Sequence, residues 1–554
     1  MVYVLIGFII LIFLIISFFK EKDKKLLEEI HLNWAKEIDK YRNFDDLEKY
    51  CTSNNIDPFH ILSSQTLKDI DVENLFSILD RTSTTIGQQL LYNRIVFPTN
   101  NRNELKEFSS KSGYFIENFN KRESVQKILY RLEKNGTSEI IDTLDQKNLV
   151  INKNKPLYKI LTILAIVGIM GFIFFPIIVI YSIPILAVNI TVQYVFKYRN
   201  EKKYRTLSEV YGLIKAAQRL EKIDTIIDST SIPKNLKSLK SFVKNYRFLN
   251  FGIPGDDLSK ALFYFLELIK ACFLTEIHLL NNSYFQILKE KESLKKLYQF
   301  IGEFDVAIST ASLKSDKRFI TCIPNLIEEK KTLKFTNAIH PLIDDCIPNS
   351  FSLEDKSAFI TGSNMSGKST FLRTILINSI LAQTLYFCFA ETYTSSFIKP
   401  FSSIKIDDNL LEGSSFFFKE VEIIKQMTEQ ISSANNLFII DEIFKGTNTI
   451  ERISLAKAVL HFLNNSENMV IASSHDLELI ELLSSDFEMV HFTETIKENQ
   501  LIFDHTIKAG SLKTTNAIKI VEIENFPKSI VDEAYKMTRE FKEKPFDITV
   551  SNLN

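Results

Sequence analysis

The stretch Gly362-Ser363-Asn364-Met365-Ser366-Gly367-Lys368-Ser369-Thr370 has the GxxxxGK[ST] spacing of a phosphate-binding loop. Glycines let backbone N–H groups close around phosphate oxygens. A helix starting at the lysine adds the partial positive charge of its N-terminus. Lys368 is then placed to reach the β- and γ-phosphates of ATP, and Ser369 to ligate Mg²⁺. The flanks agree: strand-like SAFIT (357–361) leads in and STFLRTILINSILAQ continues as a helix. A glycine-rich surface turn is the plainer alternative. A second centre follows in LFIIDEIFKGTNT, where an apolar run ends in Asp441-Glu442. Asp441 is read as part of the Mg²⁺ shell and Glu442 as the group that polarises the attacking water. Alone, such a pair could simply cap a turn; beside a phosphate loop it reads as catalytic. Third, NMVIASSHD carries a strand to His475, within reach of a γ-phosphate, although a lone histidine is more often structural. Fourth, EGSSFFFKEVEIIKQMTEQI sets Gly413 and Ser415 at a helix start, which suits either an anion site or an ordinary N-cap.

The elements that position these groups are a parallel sheet with intervening helices. From about residue 331 short β-type runs (357–361, 436–441 and 468–474) alternate with helical stretches, the pattern of an α/β domain. Residues 21–150 and 200–325 instead show apolar positions at three- and four-residue spacing, so they read as helices. The 554 residues leave room for two to four domains. A net charge of −1 excludes a globally basic protein, so a nucleic-acid partner must be argued from local patches. Five cysteines without a CxxC pair argue against a disulfide framework or a zinc site.

Two apolar segments point to a membrane. Val2 to Phe19 is an uninterrupted apolar run followed by KEKDKK, close to the roughly 20 residues that a spanning helix needs. A cleaved signal peptide would call for a basic start and a small-residue cleavage site, and neither is there, so an uncleaved anchor is favoured. Leu157 to Val195 has the length of two short crossings turning near Pro176, with no charge in its core and basic flanks at both ends. A buried soluble hairpin is the alternative, but a globular helix usually keeps one wet face. The flanking lysines place the remainder of the chain on the cytoplasmic side of an inner membrane.

Together these stretches resemble the MutS family of DNA mismatch-repair ATPases, within the ABC class. TGSNMSGKST is similar to the family's TGPNMGGKST, with Ser363 and Ser366 replacing Pro and Gly. DEIFKGTNT resembles DEIGRGTST, GSSFFFKE parallels GRSTFMVE over Gly413, Ser415 and Glu420, and SSHD stands where the family has its switch segment. IHPLIDDC (339–346) resembles RHPV, and counting on without a gap puts Phe351 where the family stacks an aromatic on adenine. IGEFDVAIS (301–309), LDRTSTTIGQQLLYNRIVFP (79–98) and AGSLKTTNAIKIVEIENFPKSIVDEA (509–534) extend the likeness. Near the C-terminus Thr515-Asn516-Ala517-Ile518 departs from the usual SYGI. Before the core stand only the anchor and LLEEIHLNWAKEIDKY, so the N-terminal domain with its Phe-x-Glu mismatch wedge is not expected, and neither is an appended nuclease. FLE (265–267) lies in a helical pattern and is not read as that wedge.

The resemblance implies an α/β P-loop ABC-class ATPase domain plus an all-α MutS-like core, or lever, domain, with transmembrane helices. The expected order is an anchor (1–20), a juxtamembrane helical segment (21–65), a helical core (66–325) interrupted by a hairpin (157–196), an ATPase domain with a C-terminal helix-turn-helix (326–540) and a tail (541–554). It also implies a homodimer in which Gly413 and Ser415 of one subunit complete the ATP site of the other, with DNA as the load. Locally, Lys234, Lys237, Lys240, Lys244 and Arg247 line one face of PKNLKSLKSFVKNYR. That stripe suits DNA phosphates, anionic lipid or a plain solvated face. The expected function is a membrane-tethered ATPase that clamps mismatched, branched or distorted DNA. The alternative is an ABC-class membrane ATPase that remodels or transports a non-DNA partner.

Overall fold

The computed structural model describes residues 20–53, 58–133, 155–223, 257–328, 331–363, 365–406, 416–431, 435–464, 467–497, 500–511 and 517–543, with the single residues 17, 140 and 242. The chain divides into two compact units. One comprises Met1–Asp57, Leu79–Arg94 and Glu107–Asp316; the other comprises Pro58–Ile78, Ile95–Lys106 and Lys317–Asn554. The architecture is mixed α/β with helices in the majority.

The second unit is built on two sheets. Strands β1 (Asn325–Ile327), β2 (Thr332–Ala338), β3 (Asn349–Glu354) and β5 (Thr392–Ser396) form a four-stranded sheet in the order β1-β5-β2-β3. The larger sheet contains β4 (Ser357–Thr361), β6 (Lys399–Ser403), β7 (Asn436–Asp441), β8 (Met469–Ser473), β9 (Phe487–Lys497) and β10 (Gln500–Ala509). Its order is β10-β9-β4-β8-β7-β6, parallel except for the β9–β10 pair. β4 and β8 are buried throughout, as expected of parallel strands covered on both faces. Phe359, Phe438, Ile440 and Val470 form one core with Leu460 and Leu463, each large side chain worth about 1.5–3 kcal/mol when fully buried. Helices α8 (Lys368–Ala382), α9 (Phe416–Glu429) and α10 (Thr449–Leu463) connect the strands, and the Asn448 side chain caps α10 by accepting from Glu451 N–H at 3.0 Å. Two helices, α11 (Ala517–Ile523) and α12 (Lys528–Glu543), pack together at the end. Pro58–Ile78 joins this unit through Asp69, whose buried carboxylate accepts from Ser402 Oγ at 2.7 Å and from the backbone N–H groups of Ile404 and Lys405.

The first unit is helical. Helix α1 (Thr85–Val96) starts on the carboxylate of Asp305, which accepts from the N–H groups of Ser83 and Thr84 at 2.8 Å each. Asp305 sits on α7 (Lys291–Lys314), and Gly87 lets the two helices approach: a Cβ there would strike the Asp305 carboxylate. Between them in sequence run α2 (Lys155–Phe174), α3 (Val179–Arg199), α4 (Glu201–Ile223), α5 (Asp257–Cys272) and α6 (Thr275–Lys289).

Among the described residues two helices, not three, are long and apolar enough to cross a membrane. They are the expected hairpin, α2 and α3, turning through a single 3₁₀ turn at Pro176–Ile178. Only 11% and 17% of their apolar windows are buried. The expected anchor at residues 2–19 lies almost wholly outside the described residues.

Candidate functional site

The site lies where β4, β7 and β8 end side by side. A parallel sheet directs the C-terminal ends of its strands to one edge, so groups far apart in sequence meet there. The chain leaves β4 through Gly362 (φ 154°) and enters α8 from Gly367 (φ 113°), both in the range that favours glycine. A Cβ at Gly362 would press on Ser366 Oγ at 2.9 Å and the Phe492 carbonyl at 3.1 Å. Lys368 is folded back into the loop, donating from Nζ to the carbonyls of Gly362 at 2.7 Å and Ser363 at 3.0 Å. Burial pushes its pKa down to about 8, against the opposing pull of Asp441, Glu442 and Glu494.

Asp441 ends β7 and accepts from two hydroxyls, Ser369 Oγ and Ser473 Oγ. This carboxylate and the Ser369 hydroxyl are hard oxygen donors beside the lysine. Among the described residues no three His, Cys, Asp or Glu side chains gather into a metal cage. One carboxylate plus one hydroxyl, with phosphate and water supplying the rest, is a donor set that suits Mg²⁺. Glu442, with φ 53°, turns away from β7 and pairs with His475 Nε2 at 2.6 Å and Lys445 Nζ at 2.5 Å. The His475 hydrogen bond and the Lys445 charge draw its pKa down to about 2 despite burial. His475 also lies 3.4 Å from Lys368 Nζ, so the lysine, the histidine and the carboxylate form one chain. Beside them opens a cleft of about 390 Å³ reached by Lys368, Ser369, Thr370, Met365 and Glu442.

The family model for MutS domain V matches residues 358–542, which carry all of these groups. Over 338 residues the chain is 30% identical to a DNA mismatch repair protein MutS of Leptospira interrogans serovar Lai, spanning 57% of this chain and 38% of that protein. Over 267 residues it is 29% identical to the DNA mismatch repair protein MutS of Staphylococcus epidermidis, spanning 46% of this chain and 30% of that protein. The chain thus carries a MutS domain V, and about half of it is similar to MutS proteins. It spans well under half the length of these curated relatives.

In this chain the two loop substitutions acquire partners of their own. Ser363 Oγ donates to Glu494 Oε2 on β9 at 2.7 Å, and Ser366 Oγ donates to the Ser363 carbonyl at 2.8 Å. Phe351 does not take the place expected of it. It occupies an inward position of the alternating strand β3, 7% exposed between Phe335 and Phe371, and does not line the cleft. Phe371, Ile343, Ile347 and His505 are among the bulky side chains that do. His505 comes from the irregular part of β10, and its Nδ1 lies 3.2 Å from the Ser366 carbonyl. Sequence reasoning passed over Lys445, Ser473, Glu494 and His505. The first two stood inside motifs already singled out; β9 and β10 carry no motif at all. Asn364, Gly413, Ser415, Lys234, Lys237, Lys240, Lys244 and Arg247 lie outside the described residues.

Proposed function

We propose that this chain is a membrane-tethered P-loop ATPase of the MutS family whose ATP cycle, run in a homodimer, clamps DNA. The observation that carries the reading is the convergence of Lys368, Ser369, Asp441, Glu442 and His475 at the ends of three adjacent parallel strands. ATP would lie in the cleft with its phosphates in the 362–370 loop, and the adenine against Ile343, Ile347 and His505. A triphosphate takes over the Lys368 ammonium from the Gly362 and Ser363 carbonyls. Ser369 and Asp441 would hold Mg²⁺, which neutralises phosphate charge when bound. Glu442 aligns the attacking water. With a pKa of about 2 it is a poor proton acceptor while both His475 and Lys445 hold it, so its ion pairs must loosen before hydrolysis. His475, touching both Glu442 and Lys368, is the link through which an arriving γ-phosphate would loosen them.

Gly413 and Ser415 from the partner subunit would complete the site, and the helical core (66–325) would act as the lever moved by the 326–540 domain. The apolar, largely unburied pair α2 and α3 supports the tether, and their basic flanks favour the cytoplasmic face of an inner membrane. DNA as the load, including mismatched or branched forms, rests on what the relatives are named for. ATP hydrolysis by the detergent-purified chain tests the reading, run without DNA and with homoduplex, mismatched and branched DNA at two salt concentrations. The expected result is hydrolysis stimulated by DNA, fading with salt and lost in Glu442→Gln. Hydrolysis that depends on Glu442 but ignores every DNA would overturn the DNA reading in favour of a non-DNA partner at the membrane. Hydrolysis unaffected by Glu442→Gln would sink the site itself.

A further inference from the structure

Helix α5 has its polarity inside out. It packs along the candidate span α3, where fully buried Asn189 donates from Nδ2 to the Cys272 carbonyl at 2.7 Å. A helix on the surface of a water-soluble protein turns its charges outward and its large apolar residues inward. The described side chains of α5 do the reverse. Lys270 is 5% exposed and pairs with Glu267 at 2.6 Å, whereas Tyr264, Phe265, Leu268 and Ile269 are 61%, 58%, 49% and 38% exposed. Polar groups collect on the inner seam: Gln193 Nε2 of α3 donates to buried Glu276 Oε2 of α6 at 2.7 Å, and Lys197 lies 3.8 Å from the same carboxylate. An apolar outside around a polar inside has no basis in water. It is the arrangement that hydrocarbon selects.

The length of α5 decides what kind of membrane element it is. Its 16 residues extend about 24 Å at a rise of about 1.5 Å each, short of the roughly 30 Å hydrocarbon core. It also carries Asp257, Lys260, Glu267 and Lys270, so it does not cross. Asn189, the residue that meets its C-terminal end, lies about 15 Å along α3 from Arg199. Lys197, Arg199, Lys202 and Lys203 mark a headgroup level on that side, which puts the contact in the acyl region. Val167 of α2 and Ile180 of α3 are likewise bare, 60% and 63% exposed.

We propose that α5 is a third lipid-contacting helix, docked on α3 with Tyr264, Phe265, Leu268 and Ile269 among the acyl chains of the bilayer. This rests on the reading of α2 and α3 as membrane spans, so the test separates the two. Trp34 is the single tryptophan of the chain, which makes tryptophan emission a clean reporter. In a W34F background, F265W reports on α5 and I180W on α3, with I269W as a second probe of α5 should F265W fold poorly. Wild-type Trp34 serves as the control outside the bilayer. Each full-length chain is reconstituted in phosphatidylcholine–phosphatidylglycerol vesicles, with or without acyl-chain-brominated phosphatidylcholine. The expected result is that F265W and I269W lose a fraction of their emission comparable to I180W, while Trp34 loses none. Quenching of I180W alone overturns the proposal and leaves the spans intact, the face then being wet or covered by a second copy or another protein. Quenching of neither helix overturns the membrane reading itself.

Discussion

Glu420→Gln isolates the device that holds Glu442, the carboxylate proposed to align the attacking water, in place. Glu442 and Phe444 leave β7 with φ of 53° and 58°. Left-handed conformations in such side-chain-bearing residues cost roughly 1–3 kcal/mol each and persist only where the surroundings impose them. Glu420, on α9 and 2% exposed, imposes this turn by accepting the Phe444 N–H on Oε1. Burial raises its pKa, and the nearby N–H groups of Phe444, Lys445 and Gly446 pull the other way, favouring the charged form. A hydrogen bond to a charged group contributes about 1.5–3 kcal/mol, and a neutral amide oxygen of the same shape recovers about half of that. The amide also turns an NH₂ group toward a turn that offers donors. The net loss is therefore about 2 kcal/mol, which lowers the unfolding midpoint by roughly 4–8 °C for a unit of this size. Hydrolysis suffers more than binding, because a displacement of about 1 Å in a positioned group can cost up to about 10²-fold in rate. The variant should bind ATP within about twofold of wild type, since Lys368 and its loop do not touch Glu420, and should lose at least about tenfold in kcat. Thermal unfolding, binding of a fluorescent ATP analogue and steady-state hydrolysis measure the three quantities. Wild-type kcat with an unchanged midpoint would refute the role given to Glu420. An ATP affinity that falls as far as kcat would show that it acts on the whole site and not on the turn.

Lys368 should make ATP binding pH-dependent. Its pKa of about 8 in the free protein means that binding above pH 8 takes up a proton, so affinity should fall about tenfold between pH 7 and 9, with close to one proton bound per ATP at pH 9 by titration calorimetry. The unfolded lysine, with its pKa near 10.5, binds more protons between pH 8 and 10.5, so this residue makes the fold more stable as pH rises through that window. Glu442 acts at the other end of the scale. Its folded pKa of about 2 lies below its ordinary value of 4.5, so its stabilising contribution is complete above pH 4.5 and is lost as pH falls toward 2. H475A/K445A should flatten that acid limb, as read from urea midpoints at pH 7 and pH 3. Gly87→Ala drives a methyl group into the Asp305 carboxylate and frees the Ser83 and Thr84 N–H groups, and should destabilise the helical unit by about 3 kcal/mol, seen as a lower melting temperature or lost soluble yield. Gly113, whose Cβ would meet nothing within 4 Å, is the matched control.

That Lys368, Ser369, Asp441, Glu442 and His475 would come together was legible in the amino-acid order alone. The reason is local: glycines at 362 and 367 declare a turn that only they can make, and each apolar run of about five residues must be a buried strand with its polar end at the rim. The pair of long apolar helices α2 and α3 was legible for the same reason, since the run from Ile160 to Phe196 carries no charge and breaks at Pro176. What the order of residues left open is everything set by partners across the fold. Phe351 faces the core because β3 alternates and its inward register is taken by the aromatic layer with Phe335 and Phe371; no count along the chain reveals that register. Glu494 and His505 reach the loop only because β9 pairs with β4 and the irregular β10 returns beside it. Asp69 carries Pro58–Ile78 to the sheets, although its own sequence reads as one more amphipathic helix. The inverted face of α5 is of the same kind: its composition is unremarkable, and only the packing of α3 against it shows that the lysine is inside and the phenylalanine out. Periodicity says that a helix has two faces, but what lies against each face is a property of the folded chain.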